Sequence, residues 1–364
     1  MKTLLLVAGG RGGSDFFQGL LDGHTQILSF PLYLRIDNNL INILSEKDSK
    51  KLSIRFLKKY PEFFNSKINK FERHHRLGKY KNRYFKVNKI KFVSNFIKLN
   101  KKEKTTRFEK LKLLHQAYAL SRGEKLKDKK ILFIHTHLVS WTKKFVSEIK
   151  PKNFEILHII RHPLASLSSP IKNWLNFKNG ESFFPKDLYF QIDLVFNGIF
   201  DLMKLGKVKI IQYENLHWKN KKVMNNFCKI YKIKYQTCLK VCTKNGLLWW
   251  GDSVSGKWLT GINKSFQIQV DKNYFFERDL HFFQFINKKI INKYKYNFLF
   301  KKKKIYLNFV PMKCELLVWK NSVKHFILRF RWKHLASIPY FYLKRVIMIN
   351  KFIFRNIKLP YSIG

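Results

Sequence analysis

Acidic residues are scarce in this chain of 364 residues: 23 Asp and Glu stand against 73 Lys and Arg, a formal net charge of +50. Such a balance argues for an anionic partner, whether nucleic acid, an anionic ligand or a membrane surface. The lysines are spread with Asn, Ile and Phe along almost the whole chain, as an AT-rich coding bias gives, so charge alone does not choose among these partners. Cysteine is scarce too. Cys238 and Cys242 are spaced to share a helix face, but no His pair stands beside them at zinc-ligand spacing. Cys228 and Cys314 complete no metal signature, and reduced structural thiols in a reducing compartment are expected. No run of 18 uncharged apolar residues occurs, which argues against a membrane-spanning helix. The opening Met1-Lys2-Thr3-Leu4-Leu5-Leu6-Val7-Ala8 has the outline of a signal peptide. Its apolar run is too short, however, and no small-residue cleavage site precedes Arg11 and Asp15. A cytoplasmic protein is expected, and no internal repeat is seen.

What is present is enough for a core. Hydrophobic residues make up 45% of the chain, and its length suits one large α/β domain or two ordinary ones. Leu4 to Ala8 reads as a buried strand, Gly9 to Gly13 as a turn, and Ser14 as the N-cap of a helix over Phe16 to Asp22. A basic, mostly helical stretch follows from about Tyr33 to Arg122, with amphipathic patterns over Ile54 to Phe64 and Ile90 to Leu99. Strand-like runs return at Ile131 to Ile134, Ile156 to Ile160 and Val208 to Ile211, each followed by a helical pattern. Strands alternating with helices predict an α/β fold with a mostly parallel sheet. Ligands in such sheets bind off the carboxyl ends of the strands, which places Gly9 to Ser14, His135 to Leu138, Arg161 to Ser169 and Tyr213-Glu214 on one rim.

The first loop has neither the G-x-x-x-x-G-K-[ST] of a Walker A motif nor a G-x-G-x-x-G. It offers Arg11, then Gly12-Gly13, then Ser14 at a helix start. Glycine lets backbone N–H groups approach an anion closely, and an Arg fork suits phosphate or sulfate oxygens. A second anion element is Ile159 to Ser169, in which Arg161 leaves a strand end and a helix starting at Pro163 brings Ser166 and Ser169 close to one face.

These two elements, with Tyr213-Glu214-Asn215-Leu216 downstream and Leu21-Asp22-Gly23-His24 ending the first helix, resemble the sulfotransferase family over roughly residues 1–265. The resemblance implies a three-layer P-loop-like α/β domain that uses 3′-phosphoadenosine-5′-phosphosulfate as co-substrate and needs no metal. It implies that Arg11, Gly12, Gly13 and Ser14 cradle the 5′-phosphosulfate and that Arg161 and Ser169 bind the 3′-phosphate. Ile134-His135-Thr136-His137-Leu138 resembles the Lys-Thr-His-Leu segment of cytosolic sulfotransferases, which makes His137 the candidate general base and puts His135 in the place of the Lys; the alternative is a carboxylate base, as other branches of the family use, for which spacing selects no residue. Arg11 is the candidate for charge stabilisation. Two departures stand out: Asp15 occupies a place where Ser or Thr is common, and His162 one where Asp or Asn is common.

The pair Trp249-Trp250, with Gly251 and Gly256, reads either as a lid over the nucleotide or as core. From Lys301 the texture turns basic and aromatic, with Glu315 its one acidic residue. The expected division is an α/β domain over residues 1–300 and a basic helical C-terminal extension over 301–364. The extension either packs on the domain or lies on anionic lipid as a peripheral membrane contact. The expected activity is sulfuryl transfer to an acceptor hydroxyl, carbohydrate first, or to an amine. The alternatives are a P-loop-related phosphotransferase, against which the missing Walker Lys counts, a non-catalytic basic nucleic-acid-binding protein, for which no binding motif is present, and a sulfotransferase fold that has lost catalysis.

Overall fold

Leu4 to Val7 are apolar without alternation, the pattern of a strand covered on both faces, and they are fully buried. In the computed structural model they belong to β1 (Lys2–Ala8), the middle strand of the main sheet. Every residue is described except 9–11, 71, 102–103, 177–182, 252–257, 260, 302–307 and 356–357. The sheet also contains β2 (Ile27–Ser29), β3 (Ile131–His137), β4 (Phe154–Ile160) and β5 (Val208–Gln212). The order is β2-β3-β1-β4-β5, and all pairings are parallel.

This order decides where each connection runs. Helix α1 (Ser14–Leu21) carries the chain from β1 across β3 to β2. The insert between β2 and β3 holds α2 (Asn38–Ser45), α3 (Ser49–Lys59), α4 (Pro61–Phe64), α5 (Lys89–Leu99) and α6 (Arg107–Ser121). Helix α7 (Val139–Lys144) then leads from β3 across β1 to β4, and α8 (Pro163–Asn176) with α9 (Pro185–Met203) leads from β4 to β5. The first crossover runs one way along the sheet and the three later ones run the other way. Because parallel crossovers are right-handed, α1 lies on one face and α7, α8 and α9 on the opposite face. Three layers result.

The expected strands are all present, and the sequence differs from the structure chiefly at helix ends. The amphipathic run over Ile54 to Phe64 is broken, because Pro61 lacks an N–H and pushes Tyr60 out of helical geometry, to φ −123° and ψ 56°. The insert closes on an aromatic core in which Phe56, Phe63, Phe64, Phe92, Phe96 and Tyr118 are buried. Its Tyr118 hydroxyl donates to Phe63 O at 2.7 Å.

After β5 come α10 (Tyr213–Trp218) and α11 (Asn220–Tyr231), a short antiparallel hairpin of β6 (Thr243–Lys244) and β7 (Leu247–Leu248), then α12 (Glu277–Ile286) and α13 (Lys288–Lys293). Residues beyond 312 form α14 (Lys313–Arg329) and α15 (Trp332–Ile353). Helix α15 packs on α9, where Phe352 meets Phe196 edge to face at 4.8 Å. The chain then runs along β5, with Ile210 N donating to Tyr361 O at 3.0 Å and Ile363 N donating to Ile210 O at 2.8 Å, and so covers an edge that would otherwise offer unpaired groups.

Helix α1 is pressed against the β6–β7 hairpin. A Cβ at Gly19 would lie 2.3 Å from Cys242 Sγ and 3.3 Å from Thr243 O. Ala is the better helix former by up to about 1 kcal/mol, but overpacking a fixed contact costs about 1–3 kcal/mol. Gly19→Ala is therefore expected to lower the urea midpoint, and Cys242→Ala to restore part of it in the double variant. An unchanged midpoint would show that the two elements are not in this contact.

Candidate active site

The strand order creates a crevice where connections diverge. The loop after β1 feeds α1 on one face, while its neighbours β3 and β4 both send their chains to the other. Ligands of open parallel sheets bind at such switch points. The β1 loop is thus flanked by the end of β3, carrying His137, and the end of β4, carrying Arg161.

Gly13 makes the turn. Its φ of 85° is left-handed, and a Cβ there would lie 2.1 Å from Tyr213 Cδ2. A residue other than glycine meets both backbone strain and a ring. Ser14 is the first helical residue rather than the N-cap expected from the sequence; Gly13 takes the cap position, and among the described residues no side chain caps α1. The first-turn N–H groups therefore remain as donors at the positive end of the helix. Arg11, with Gly9 and Gly10, lies outside the described residues.

On the β4 side, the Arg161 guanidinium sits 5.4 Å from the Tyr213 ring centre, so Tyr213 is held between the glycine turn and the arginine. Gly12, Arg161 and Ser166 line one cavity. Arg161 Nε is buried without a hydrogen-bond partner among the described residues. The turn that aims Arg161 is fixed by the buried Glu214, which accepts from His162 N at 2.8 Å and from Tyr296 Oη at 3.1 Å. Burial raises the Glu214 carboxyl above the ordinary glutamate range, partly offset by these bonds and by Arg161. His162 is buried, its ring Nε2 is 3.2 Å from Asn297 O, and burial lowers it to about 4. It is a neutral structural group. Ser169 stands one helical turn beyond Ser166 on α8 and is half-buried.

The β3 side is built around a bulge. Leu6 pairs with His135 but Val7 pairs with His137, so Thr136 is the extra residue. Its hydroxyl donates to Leu6 O at 3.2 Å. Leu138 N donates back to Thr136 O at 2.8 Å, which leaves His137 at the centre of a tight turn with φ 65°. Non-glycine residues held in this region carry about 1–3 kcal/mol of strain, which the surrounding structure must outweigh. Stacking on Tyr33 at 4.7 Å holds the ring.

Hydrogen bonding sets the protonation of these histidines. Gln18 Nε2 donates to Phe30 O at 2.9 Å, which fixes the amide with Oε1 facing His135 Nδ1 at 2.9 Å. His135 Nδ1 must then carry a proton. Burial lowers His135 to about 3, so the ring is neutral and its Nε2 is an acceptor. His137 Nδ1 lies 3.4 Å from that nitrogen and 3.5 Å from Ser14 Oγ, long but directed contacts. Nδ1 is thereby the protonated nitrogen of His137, and Nε2 holds the lone pair. Burial also lowers His137 below its ordinary value, with Asp15 opposing. The Asp15 carboxylate is turned to this side of the loop, with Oδ1 3.9 Å from His135 Nδ1. Burial raises Asp15, but His135, Lys244 and His137 outweigh it and the carboxyl lies below the ordinary aspartate value. The neutral His135 gives no fixed cation where the family pattern has Lys.

Three contributors escaped the sequence reading. In sequence Tyr213 is only the first residue of Tyr213-Glu214-Asn215-Leu216; in the fold its ring joins the two anion elements. Asp15, a departure from the family pattern in sequence, is the charge neighbour of His137. Lys244 is buried, donates to Pro31 O at 3.1 Å and bears on Asp15 from the β6–β7 hairpin; nothing in its local sequence signals this. Trp249 and Trp250 instead donate to Glu72 O and Gly78 O, both at 2.8 Å, tying the hairpin to the insert. Gly256 lies outside the described residues. Asp22 and His24 are structural, with Asp22 accepting from Thr243 Oγ1 and Gly246 N, both at 2.7 Å. Among the described residues no group of three or more His, Cys, Asp or Glu is placed to hold a metal ion. Nitrogen NMR at neutral pH is expected to show His137 protonated on Nδ1 and bare on Nε2. The opposite tautomer would contradict the run of contacts from Gln18 through His135 to His137.

No family model and no curated protein matches the sequence. Among solved structures, the chain is similar to the sulfotransferase domain from the Synechococcus PCC 7002 olefin synthase, at 14% identity and a TM-score of 0.44, covering 82% of this chain and 96% of that one. It is also similar to the sulfotransferase domain from the curacin biosynthetic pathway, at 12% identity and a TM-score of 0.38, covering 88% and 97%. Likeness at this level adds nothing to the case made by the strand ends themselves.

Proposed function

We propose that this chain is a sulfotransferase, moving a sulfuryl group from 3′-phosphoadenosine-5′-phosphosulfate to an acceptor hydroxyl, with carbohydrate the first class to try, or to an amine. The observation that carries the reading is the pair of anion elements joined through Tyr213, with Arg161 Nε at the crevice unpartnered among the described residues and a neutral histidine on the other side. The residues present suit the donor. Gly12, Gly13 and Ser14, with Arg11, are assigned to its phosphosulfate end, and Arg161 with Ser169 to its 3′-phosphate. The donor supplies an activated S–O bond, and adenosine 3′,5′-bisphosphate is the leaving group.

The remaining chemistry belongs to the chain. His137 Nε2 accepts the acceptor's proton as the new bond to sulfur forms. The imidazolium so produced is steadied by the Asp15 carboxylate, while Nδ1–H stays directed at Ser14 and His135. Arginine and the helix N-terminus stabilise the negative charge that builds on the departing phosphate oxygen. A nearby carboxylate would repel the donor if it faced the turn; Asp15 leans to the histidine side instead.

The direct test is incubation with the donor and a panel of acceptors, reading release of adenosine 3′,5′-bisphosphate. Absence of release with every acceptor class, together with no binding of the bisphosphate, would overturn the proposal. Arg161→Ala is expected to weaken bisphosphate binding by about 1.5–3 kcal/mol, the usual loss for a charge-assisted hydrogen bond. Equal affinity would move the 3′-phosphate elsewhere.

His137→Ala is expected to spare donor binding and to lower turnover by about two to four powers of ten. The base works in its neutral form, and burial sets its pKa below the ordinary 6.5. The rate is therefore expected to hold level above neutrality and to fall as pH drops through that lowered value. An acid limb centred above 7 in kcat/KM would exclude His137.

A further inference from the structure

Helices α14 and α15 are joined by Phe330 and Arg331 alone, so the chain reverses at a sharp tip. Phe330 sits in the left-handed region at φ 49° and closes α14 by donating its N–H to Phe326 O at 2.8 Å. The root of this hairpin is firmly held. Arg345 is 1% exposed and grips Glu315 bidentately, Nε to Oε1 at 3.0 Å and Nη2 to Oε2 at 2.9 Å. Arg345 also donates to Asn308 Oδ1 at 3.0 Å.

The tip is the reverse of the root. Ile327, Leu328, Phe330 and Trp332 are 64%, 66%, 79% and 64% exposed, four large apolar side chains within six consecutive positions. Single exposed apolar residues are ordinary, but a contiguous set marks a surface meant to be covered. The set continues on the outward side of α15 through Tyr340, Leu343 and Ile347, at three- and four-residue spacing and more than half exposed.

Charge says what covers it. Arg329, Arg331 and Lys333 are exposed among these side chains. No acidic residue follows Glu315 in the chain, and Glu315 is spent on Arg345. Within the hairpin no carboxylate offsets the tip's positive charge, and the one that bears on it from outside, Asp187 of α9 beside His334, caps its own helix by accepting from Phe184 N at 3.1 Å; a second copy of the same basic face is disfavoured. Ile327, Leu328, Leu343 and Ile347 have no ring to stack on a base and gain nothing from a solvated sugar–phosphate chain, so nucleic acid is a poor fit. Apolar side chains set among Arg and Lys suit the boundary between acyl chains and anionic headgroups. Among the described residues no helix is long and apolar enough to cross a membrane.

We infer that the α14–α15 tip is a membrane-surface anchor: Ile327, Leu328, Phe330 and Trp332 enter the interface of an anionic bilayer, and Arg329, Arg331 and Lys333 meet its headgroups.

The test is flotation of the full chain with vesicles of phosphatidylcholine alone or mixed with phosphatidylglycerol. The intact protein is expected to float with the mixed vesicles and to be released by salt. Phe330→Ser with Trp332→Ser keeps every charge, so adhesion through the general basic surface would survive it; a loss of about tenfold or more is expected instead. Arg329→Gln with Arg331→Gln is expected to weaken binding about fivefold per residue. All four side chains are exposed, and unchanged thermal melting is the check that the variants are folded. Four outcomes would overturn the anchor: no flotation of the intact chain, equal flotation with both lipids, wild-type flotation of the Phe330→Ser, Trp332→Ser variant, or a self-association or RNA-binding activity that this variant abolishes while leaving flotation intact.

Discussion

The site depends on a constraint of topology: β1 lies between β3 and β4, and right-handed crossovers send its helix to one face and theirs to the other. Were α1 on the same side as α7 and α8, the three loops would crowd one face and no crevice would open. As it is, the Gly12–Ser14 turn stands between two strand ends of different chemistry. One offers a neutral histidine, toward which the Asp15 carboxylate of α1 leans. The other offers an arginine whose Nε has no partner among the described residues. A reaction that needs a fixed anion on one side and a proton acceptor on the other is served by that asymmetry.

Burial works in opposite senses on the groups at this rim. It keeps His135 and His137 neutral, with His135 lowered to about 3. It does not neutralise Asp15, because the neighbouring histidines and Lys244 draw the carboxyl below its ordinary value. The result is one negative charge beside neutral rings, so a proton arriving on His137 finds a stabilising neighbour. The bulge at Thr136 and the left-handed His137 are the local strain that this placement requires, and the Thr136–Thr142 hydroxyl contact at 2.6 Å helps hold them.

Local pattern made the sheet legible. Apolar runs at Leu4 and Ile131, and the mostly apolar ones at Ile156 and Val208, gave four of the five strands, while the three-residue β2 is too short to show a pattern, and glycine before a helix gave the first turn. The rim placement of His137 and Arg161 followed from the strand-end rule. What stayed hidden depends on through-space neighbours. A two-residue sequence period cannot show the bulge that separates His135 from His137, and nothing near Lys244 or Tyr213 tells which loop each will meet. Ser14 has the side chain type of a cap, but its hydroxyl faces a histidine more than a hundred residues away in sequence. The pair Trp249-Trp250 has two readings in sequence, and the structure uses both indoles to bind carbonyls of the insert.

The central claim is that the crevice between the β1 loop and β4 recognises two separated phosphate groups on one adenosine. Calorimetric titration of the intact protein with adenosine 3′,5′-bisphosphate, set against ATP and a short DNA duplex, tests it most directly. The account predicts saturable one-to-one binding of the bisphosphate, tighter than ATP and weakly dependent on salt compared with DNA. Equal or tighter binding of ATP, or heat only from DNA with a steep salt dependence, would contradict it.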